Sequence, residues 1–423
     1  ARSRSKCWTD EMAMRILILG GGVGGQVVAN ELRRRLASEH RVTLIDRDMR
    51  HAFAPSFLSV MTGDRQPHHV TRDVRELVRP GVEVIKAEIR RIDLETRRVE
   101  VDRESLAYDY LVVALGAELA PDAIPGLGSA AHTFYTLEGA SQLRTALDGV
   151  GDGTVAVVVS ALPYKCPGAP HEAAMLLADF FHRRRRKDTI DVHLFTPEPQ
   201  PMPVAGPVLG EAVQQMLVQR RIDFHPSHKL TAVNPDAREL VFDAKPPVKY
   251  DLLVAIPPHR PPALVRDAGL ANESGWIPVD RQTLATRYEH VYAIGDITSV
   301  AIPGRWKPDV PLMLPKAGVF AHAEALVVAR RIAAEIAGVA AIDTFCGDGF
   351  CMLEAGEGVA GIAFGDFFAE PSPHVEVRPT GRAWHLGKVL FESWWLAPWG
   401  IRRRALESAL RIGSRIYGIP MTL

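Results

Sequence analysis

The chain has 423 residues, 47% hydrophobic and 24% charged, a globular composition with room for two or three domains at roughly 100–200 residues each. Fifty lysines and arginines balance fifty aspartates and glutamates, so net charge gives no argument for nucleic acid, and no apolar run approaches the roughly 20 residues of a membrane-spanning helix. The four cysteines, Cys7, Cys166, Cys346 and Cys351, are too few for a disulfide scaffold and form no C-x-x-C pair, so neither zinc nor any other metal is signalled.

Residues 1–13 lack any apolar period and are expected to be a tag, a processing scar or a loose tail. Met14–Leu19 is an apolar run of strand length. It leads into Gly20, Gly22 and Gly25, spaced as G-x-G-x-x-G, and then into a helical stretch. A second strand, "RVTLID", ends at Asp46, twenty-one residues after Gly25. Strand, glycines, helix, strand and terminal acid, in that order, predict a dinucleotide-binding unit. The glycines admit a pyrophosphate to the backbone, and the helix start offers free N–H groups and the positive end of its dipole. Asp46 is placed for an unphosphorylated ribose, as in FAD or NAD.

Next, "EVIKAEIRRIDLETRRVEV" predicts strands with a turn at Leu94–Thr96, and "LAYDYLVVALGAE" predicts a buried strand ending at Gly116. A further βαβ-like unit begins near Thr154. Its first turn, "SALPYKCPGAPHE", stands where a dinucleotide unit would have glycines, yet it carries Cys166 and prolines. The strand "IDVHLF" and a helix over "GEAVQQMLVQRRI" follow. "YDLLVAIPPHR" (250–260) repeats the sense of "YDYLVVALGAE" (108–118), an internal echo that suggests two similar domains. "HVYAIGDI" puts Asp296 at a strand end, and a long helix is predicted from Pro315, with Lys316 at its head. "RRRRK" (183–187) reads as a solvated helix end. The last eighty residues mix short strands with an aromatic, basic tail. There Lys388, Phe391, Trp394 and Trp395 form a cationic, aromatic cluster, and Ile401, Ala405, Ala409, Ile412 and Ile416 recur at helical spacing. Arg402, Arg403, Arg404, Arg411 and Arg415 oppose a single Glu407. Such a basic amphipathic helix with tryptophans at its head suits a membrane interface; packing on the protein or on a second subunit is the other reading.

Gly20–Gly25 with Asp46, "DYLVVALGA", "HVYAIGD" and "PKAG" resemble the flavoproteins built from two dinucleotide domains. "YKCPGAPHEAA" and "GFCMLEAG" narrow the resemblance to the sulfide:quinone oxidoreductase family, relatives of flavocytochrome c sulfide dehydrogenase. It spans roughly residues 14–396. The implied fold is α/β, with two Rossmann-like dinucleotide-binding domains in tandem and a C-terminal α+β membrane-associating region. The FAD domain would be split over 14–120 and 285–340, the second Rossmann-like domain would cover 121–284, and the C-terminal region 341–423. In NADH-using relatives the second domain has its own glycine motif. Here side chains and prolines fill that space, so nicotinamide binding is expected to be lost.

The resemblance also implies chemistry. Asp296 would bond the ribityl chain of FAD, and Lys316 with its helix dipole would stabilise the negative charge of the reduced flavin. Cys166 and Cys351 would form the redox pair, one taking up sulfide sulfur as a persulfide and one acting on the flavin as a thiolate. Cys346 and Cys7 would be bystanders. Glu172, six residues after Cys166, is either a proton carrier or a helix-capping acid. His132 matches a family histidine on the sulfide side. A second histidine some members carry is absent, with Pro203 falling about there, and so is a third cysteine, which favours a two-cysteine form over long polysulfide storage. No cysteine lies in "MRHAFAPSFLSVMTG", where the flavocytochrome c branch attaches its flavin, so FAD is expected to be noncovalent. The expected reaction is oxidation of sulfide to sulfane sulfur or polysulfide, with a sulfur acceptor, and transfer of electrons to a membrane quinone past Lys388, Phe391, Trp394 and Trp395. Sulfide dehydrogenase feeding cytochrome c and NADH:quinone reductase are the alternatives. The expected location is peripheral and monotopic on a membrane surface, with a homo-oligomer possible.

Overall fold

The computed structural model describes residues 13–102, 104–307 and 310–421. Cys7 and the 1–12 part of the expected tail lie outside them.

Strand β1 (Arg15–Leu19) is buried on both faces from Ile16 to Leu19, as a central parallel strand must be. Helix α1 (Val23–Arg35) and strand β2 (Arg41–Asp46) complete the first crossover. Strands β3 (Val82–Lys86) and β4 (Tyr110–Val113) flank them. Between β3 and β4 the chain makes an antiparallel excursion, with the turn at 94–97 where the sequence put it.

Strand β5 (Gly153–Val159), helix α2 (Ala169–Arg183), β6 (Ile190–Phe195), β7 (Ile222–His225) and β8 (Leu252–Ile256) form a second parallel sheet in the order β7-β6-β5-β8. The helix expected to run to Ile222 stops at Gln219, because Ile222 opens β7 and pairs with Val192. Strand β9 (Val291–Ala293) then returns to the first sheet, whose order is β9-β4-β1-β2-β3. Helix α3 (Gly318–Ile336) packs on α1. It begins three residues later than expected, since Lys316 is drawn into a bridge with Lys165 and Ala317 is extended, with φ −149°. Three antiparallel strands follow, β10 (Asp348–Glu354), β11 (Ala360–Asp366) and β12 (His374–Gly381). Helices α4 (Arg382–Trp395) and α5 (Ile401–Tyr417) close the chain.

The sequence echo has a physical cause. β4 and β8 each pair with the first strand of their sheet. Asp109 accepts the Arg15 N–H at 2.7 Å, and Asp251 accepts the Thr154 N–H at 2.8 Å. Each Tyr-Asp thus satisfies the backbone at the start of the neighbouring strand. Beyond the two strands, Glu118–Leu119 pairs with His259–Arg260, so the ends of the echoes meet.

Candidate active site

The glycine turn after β1 has the geometry its spacing predicts. Gly20 has φ +104°, and a Cβ there would lie 2.4 Å from the Ala114 carbonyl oxygen. A Cβ at Gly25 would lie 1.8 Å from the Gly20 oxygen, so only glycine lets α1 seat against β1. A Cβ at Gly22 would meet nothing within 4 Å, which leaves room in front of the α1 N-terminus. Asp46 accepts the Gly21 N–H at 2.5 Å and the Asp48 N–H at 2.7 Å. Gly116 likewise borders open space after β4.

Past β9, Asp296 has a buried carboxylate oxygen, Oδ1, without a hydrogen-bond partner among the described residues. Burial pushes its pKa up, against the charges of Lys165 and Lys316. A buried acceptor of this kind calls for a donor from outside the chain, and a ribityl or ribose hydroxyl is one. The Lys316 ammonium donates to the carbonyls of Asp296 at 2.7 Å and Thr298 at 3.0 Å, and lies 3.5 Å above the Trp276 ring. Burial lowers its pKa to about 8. The residues present fit a flavin dinucleotide.

The cysteine turn is tied to this cradle. The Cys166 N–H donates to the Lys316 carbonyl at 2.7 Å, and the Cys166 carbonyl accepts the Ala169 N–H at 2.9 Å. Cys166 itself is left-handed, with φ +54°, a conformation that costs a non-glycine residue about 1–3 kcal/mol and gathers at functional sites. Cys351 comes from β10. A Cβ at Gly168 would lie 3.2 Å from the Cys351 sulfur and 2.7 Å from Leu353 Cδ2. The Cys351 sulfur therefore rests on the turn two residues beyond Cys166. Burial pushes the Cys166 thiol up to about 12, with Glu172 adding to the rise and Lys388 opposing it. Burial likewise pushes Cys351 well up, and a charge on Cys166 pushes it further.

Glu172, in the first turn of α2, is 3% exposed. Its Oε1 accepts the Glu354 N–H at 2.8 Å and the Lys388 ammonium at 2.5 Å. Lys388 also donates to the Met352 carbonyl at 3.3 Å. Burial opposes its charge, but Glu172 and Glu354 outweigh this and raise its pKa. The cluster expected to be cationic and aromatic is therefore divided: Lys388 turns to the cysteine side.

Phe391, Trp394 and Trp395 pack inward instead. Trp394 and Trp395 are each 3% exposed. Trp395 donates to His51 Nε2 at 2.8 Å, stacks with Phe391, and lies near Phe53 and edge-on to His322. These tryptophans are core residues, which corrects their expected place at a membrane interface. Arg403 is corrected too: it is 7% exposed, donates to the carbonyls of Trp395 and Ala397, and lies over the Trp399 ring.

His132 joins the edge of the second sheet as a bridge to Val254, and among the described residues its ring makes no hydrogen bond to Cys166, Cys351 or Glu172. Cys346 is exposed and donates to Asp348 at 3.2 Å, away from the pair. The 183–187 run does end a helix, with Arg183 paired to Asp64 and Asp179 and Arg186 to Asp152. The structure adds residues the motifs did not mark. Tyr135 donates to the Lys165 carbonyl at 2.8 Å, and Tyr164 donates to the buried Glu198 at 2.9 Å. Burial raises Glu198 to about 7. His385 Nδ1 lies 2.9 Å from Glu354 Oε2.

A family model for pyridine nucleotide-disulphide oxidoreductases matches residues 14–322. The chain belongs to this family. Membership implies a flavin, in keeping with the cradle described above. Among relatives of the pyridine nucleotide-disulphide oxidoreductase chain, the mitochondrial sulfide:quinone oxidoreductase of Mus musculus is 26% identical over 312 residues, covering 70% of this chain and 68% of that one. The sulfide-quinone reductase of Aquifex aeolicus is 26% identical over 432 aligned positions, covering 97% of each. The structure of the sulfide:quinone oxidoreductase from Aquifex aeolicus superposes with a TM-score of 0.84 at 23% identity, over 97% of this chain and 96% of that one, so the two share a fold.

Proposed function

We propose that this flavoprotein oxidises sulfide through Cys166 and Cys351 and delivers the electrons to a membrane quinone. The observation that carries the reading is the cysteine turn. It replaces the glycine turn of the second sheet, brings Cys351 against it, and is hydrogen-bonded to the start of the cofactor helix through Lys316. The named relatives in mouse and Aquifex aeolicus support the same reaction.

In this reading HS⁻ attacks the disulfide form of the pair. One sulfur becomes a persulfide and the other leaves as a thiolate. Glu172 and Lys388 form an ion pair whose charges act on both sulfurs in opposite directions, the ammonium favouring the thiolate and the carboxylate opposing it. The flavin, when bound, accepts the electron pair and gives it to the quinone. Gly20, Gly22, Gly25 and Asp46 hold the ADP end of FAD, Gly116 borders it, Asp296 holds the ribityl end, and Lys316 lies at the flavin end. FAD is held without a covalent bond, since residues 49–63 contain no cysteine.

The quinone side and the membrane side belong to the C-terminal region. No helix among the described residues is long and apolar enough to cross a membrane. Ile401, Ile412, Ile416 and Tyr417 of α5 are 83%, 59%, 72% and 51% exposed. Bare aliphatic side chains beside Arg402, Arg404 and Arg415 suit the headgroup region of an anionic bilayer. Phe391 of α4 packs near the rings of Phe53 and Phe350, and in this reading it lines the quinone path.

The test is direct. Under anaerobic conditions sulfide should bleach the flavin of the purified protein, NADH should not, and a short-chain quinone should restore the colour. Bleaching by NADH alone would make the protein an NADH:quinone reductase. Recovery with cytochrome c but not with quinone would make it a sulfide dehydrogenase.

A further inference from the structure

We propose that Tyr135 and Tyr164 are positioning residues for Cys166: their hydroxyl groups hold the turn that carries it, so that its sulfur stays within bonding reach of Cys351. The inference rests on the sulfide–quinone reading above, which needs the two sulfurs to meet as a disulfide, and adds these two tyrosines and Glu198 to it.

Disulfide geometry is narrow, with the two Cβ atoms roughly 3.5–4.5 Å apart. Cys166 is left-handed, with φ +54°, and a non-glycine residue keeps that conformation only where its surroundings over-determine it. Its own N–H and carbonyl are taken by Lys316 and Ala169. Its neighbours are held from other parts of the fold. The Tyr135 hydroxyl donates to the Lys165 carbonyl at 2.8 Å. Tyr135 is fixed in turn: its ring meets His259 edge-on, with centroids 5.4 Å apart, and the next residue, Thr136, caps the helix Leu137–Gly149.

Tyr164, 4% exposed, reaches across the turn. Its hydroxyl lies 3.4 Å from the Pro167 carbonyl and 2.9 Å from Glu198 Oε2. A phenol has one proton, and the nearer carboxylate takes it. The Pro167 carbonyl then has His171 Nδ1 at 3.2 Å as its donor. Glu198 is 5% exposed and is pinned beyond the ends of β6 and β7. Thr196 donates to its Oε2 at 3.1 Å, and its carbonyl accepts the Ser227 N–H at 2.9 Å. A buried carboxylate is costly unless it is hydrogen-bonded, so Glu198 and Tyr164 hold each other in place. The two phenols thus tie the cysteine turn to two separate segments. Without either hydroxyl, the reduced turn has more conformations open to it, while the disulfide still demands one. The pair should then be easier to reduce.

The experiment equilibrates the holoprotein anaerobically with mixtures of reduced and oxidised dithiothreitol, quenches with acid, and weighs the alkylated Cys166 and Cys351 peptides. Dithiothreitol loses two S–H protons and an electron pair and closes its own S–S bond, while the Cys166–Cys351 bond opens to two thiols. Tyr135→Phe and Tyr164→Phe should each favour reduction by roughly threefold to tenfold, the range one hydrogen bond spans. Tenfold is about 30 mV for this two-electron couple. Glu198→Gln keeps an acceptor for Tyr164 and should shift the equilibrium less than Glu198→Leu. Tyr292→Phe is the control. It removes a hydroxyl in the first sheet that donates to Glu335 at 2.5 Å, and it should lower the thermal midpoint without moving the disulfide equilibrium. A second readout needs no disulfide. With both thiols reduced, iodoacetamide should label Cys166 faster in Tyr135→Phe and Tyr164→Phe than in the unaltered protein or Tyr292→Phe. An equilibrium that moves in neither variant, or that moves as far in Tyr292→Phe, overturns the positioning role, and so does unchanged labelling of Cys166. If the unaltered protein forms no Cys166–Cys351 disulfide in any mixture, the assigned pair fails instead, and the labelling rates still decide whether the hydroxyls hold the turn.

Discussion

Cys166 and Cys351 lie 185 positions apart in the chain, yet Cys351 rests on the turn that Cys166 begins. Exchange chemistry needs both sulfurs. Serine at either position should leave the flavin bound and remove most sulfide-driven bleaching, read as anaerobic absorbance. Cys346→Ser should leave the bleaching rate unchanged, because that thiol faces solvent and Asp348. Bleaching that depended on Cys346 and not on Cys351 would sink the pairing. The pH response has a defined sign. Burial holds Cys166 near 12, Glu172 raises it and Lys388 lowers it. Alkylation of Cys166 by iodoacetamide should therefore accelerate with rising pH. Glu172→Gln should shift that profile to lower pH, and Lys388→Met to higher pH. Sequence alone marked Cys166, Glu172 and Cys351 through two motifs. It could not mark the Glu172–Lys388 ion pair, and Lys388 read as part of the cationic, aromatic cluster on the quinone side. Its partner Glu172 is 216 residues away, and charge pairing at that separation leaves no local pattern.

Helix α4 shows how far an element can depart from its composition. Its tryptophans suggested an interface, but burial of Trp394 and Trp395 makes them the anchor of the C-terminal region. Trp395 is held by His51, 344 residues earlier. Burial lowers His51 to about 4, with the Gly21 backbone opposing, and lowers His322 in the same cluster to about 4. Both rings are neutral in the folded protein near pH 7. An unfolded histidine protonates near 6.5. Between pH 6.5 and 4 the unfolded chain binds more protons, so stability falls as the solution is acidified through this window. Thermal unfolding followed by tryptophan fluorescence should show a falling midpoint there. A His51→Gln variant should lose part of that slope, and an unchanged slope would reject His51 as a source. Strands β1, β2, β4, β5 and β8 were legible because parallel strands buried on both faces must be continuously apolar. The start of α3 was not, because its limit was set by the bridge between Lys165 and Lys316.

At the scale of the molecule, the question is what α5 does with its exposed stripe. Ile401, Ala405, Ala409, Ile412 and Ile416 were expected on one face, and all five are exposed. Arg403 and Leu410 are the inward residues. Removing the tail at Trp395 would therefore strip buried contacts as well as the stripe. A cleaner variant combines Ile401→Asn, Ile412→Asn and Ile416→Asn. It should bind anionic liposomes far less than the unaltered protein in a sedimentation assay, while sulfide still bleaches its flavin. High salt should weaken binding of the unaltered protein, since the arginine contribution is screened. Undiminished liposome binding by the triple variant would place membrane contact elsewhere.

The sequence by itself determined the dinucleotide turn, the two echoing strands, the cysteine motif and the helical stripe of the tail. Each is a local pattern, imposed by strand burial, by the space a glycine must leave, or by helical period. Only the tertiary structure decided which side of α4 faces the cysteines, that two tryptophans belong to the core, and that Arg403 is buried. Those outcomes depend on packing between segments hundreds of residues apart, where a side chain takes its partner from the fold and not from its neighbours in the chain.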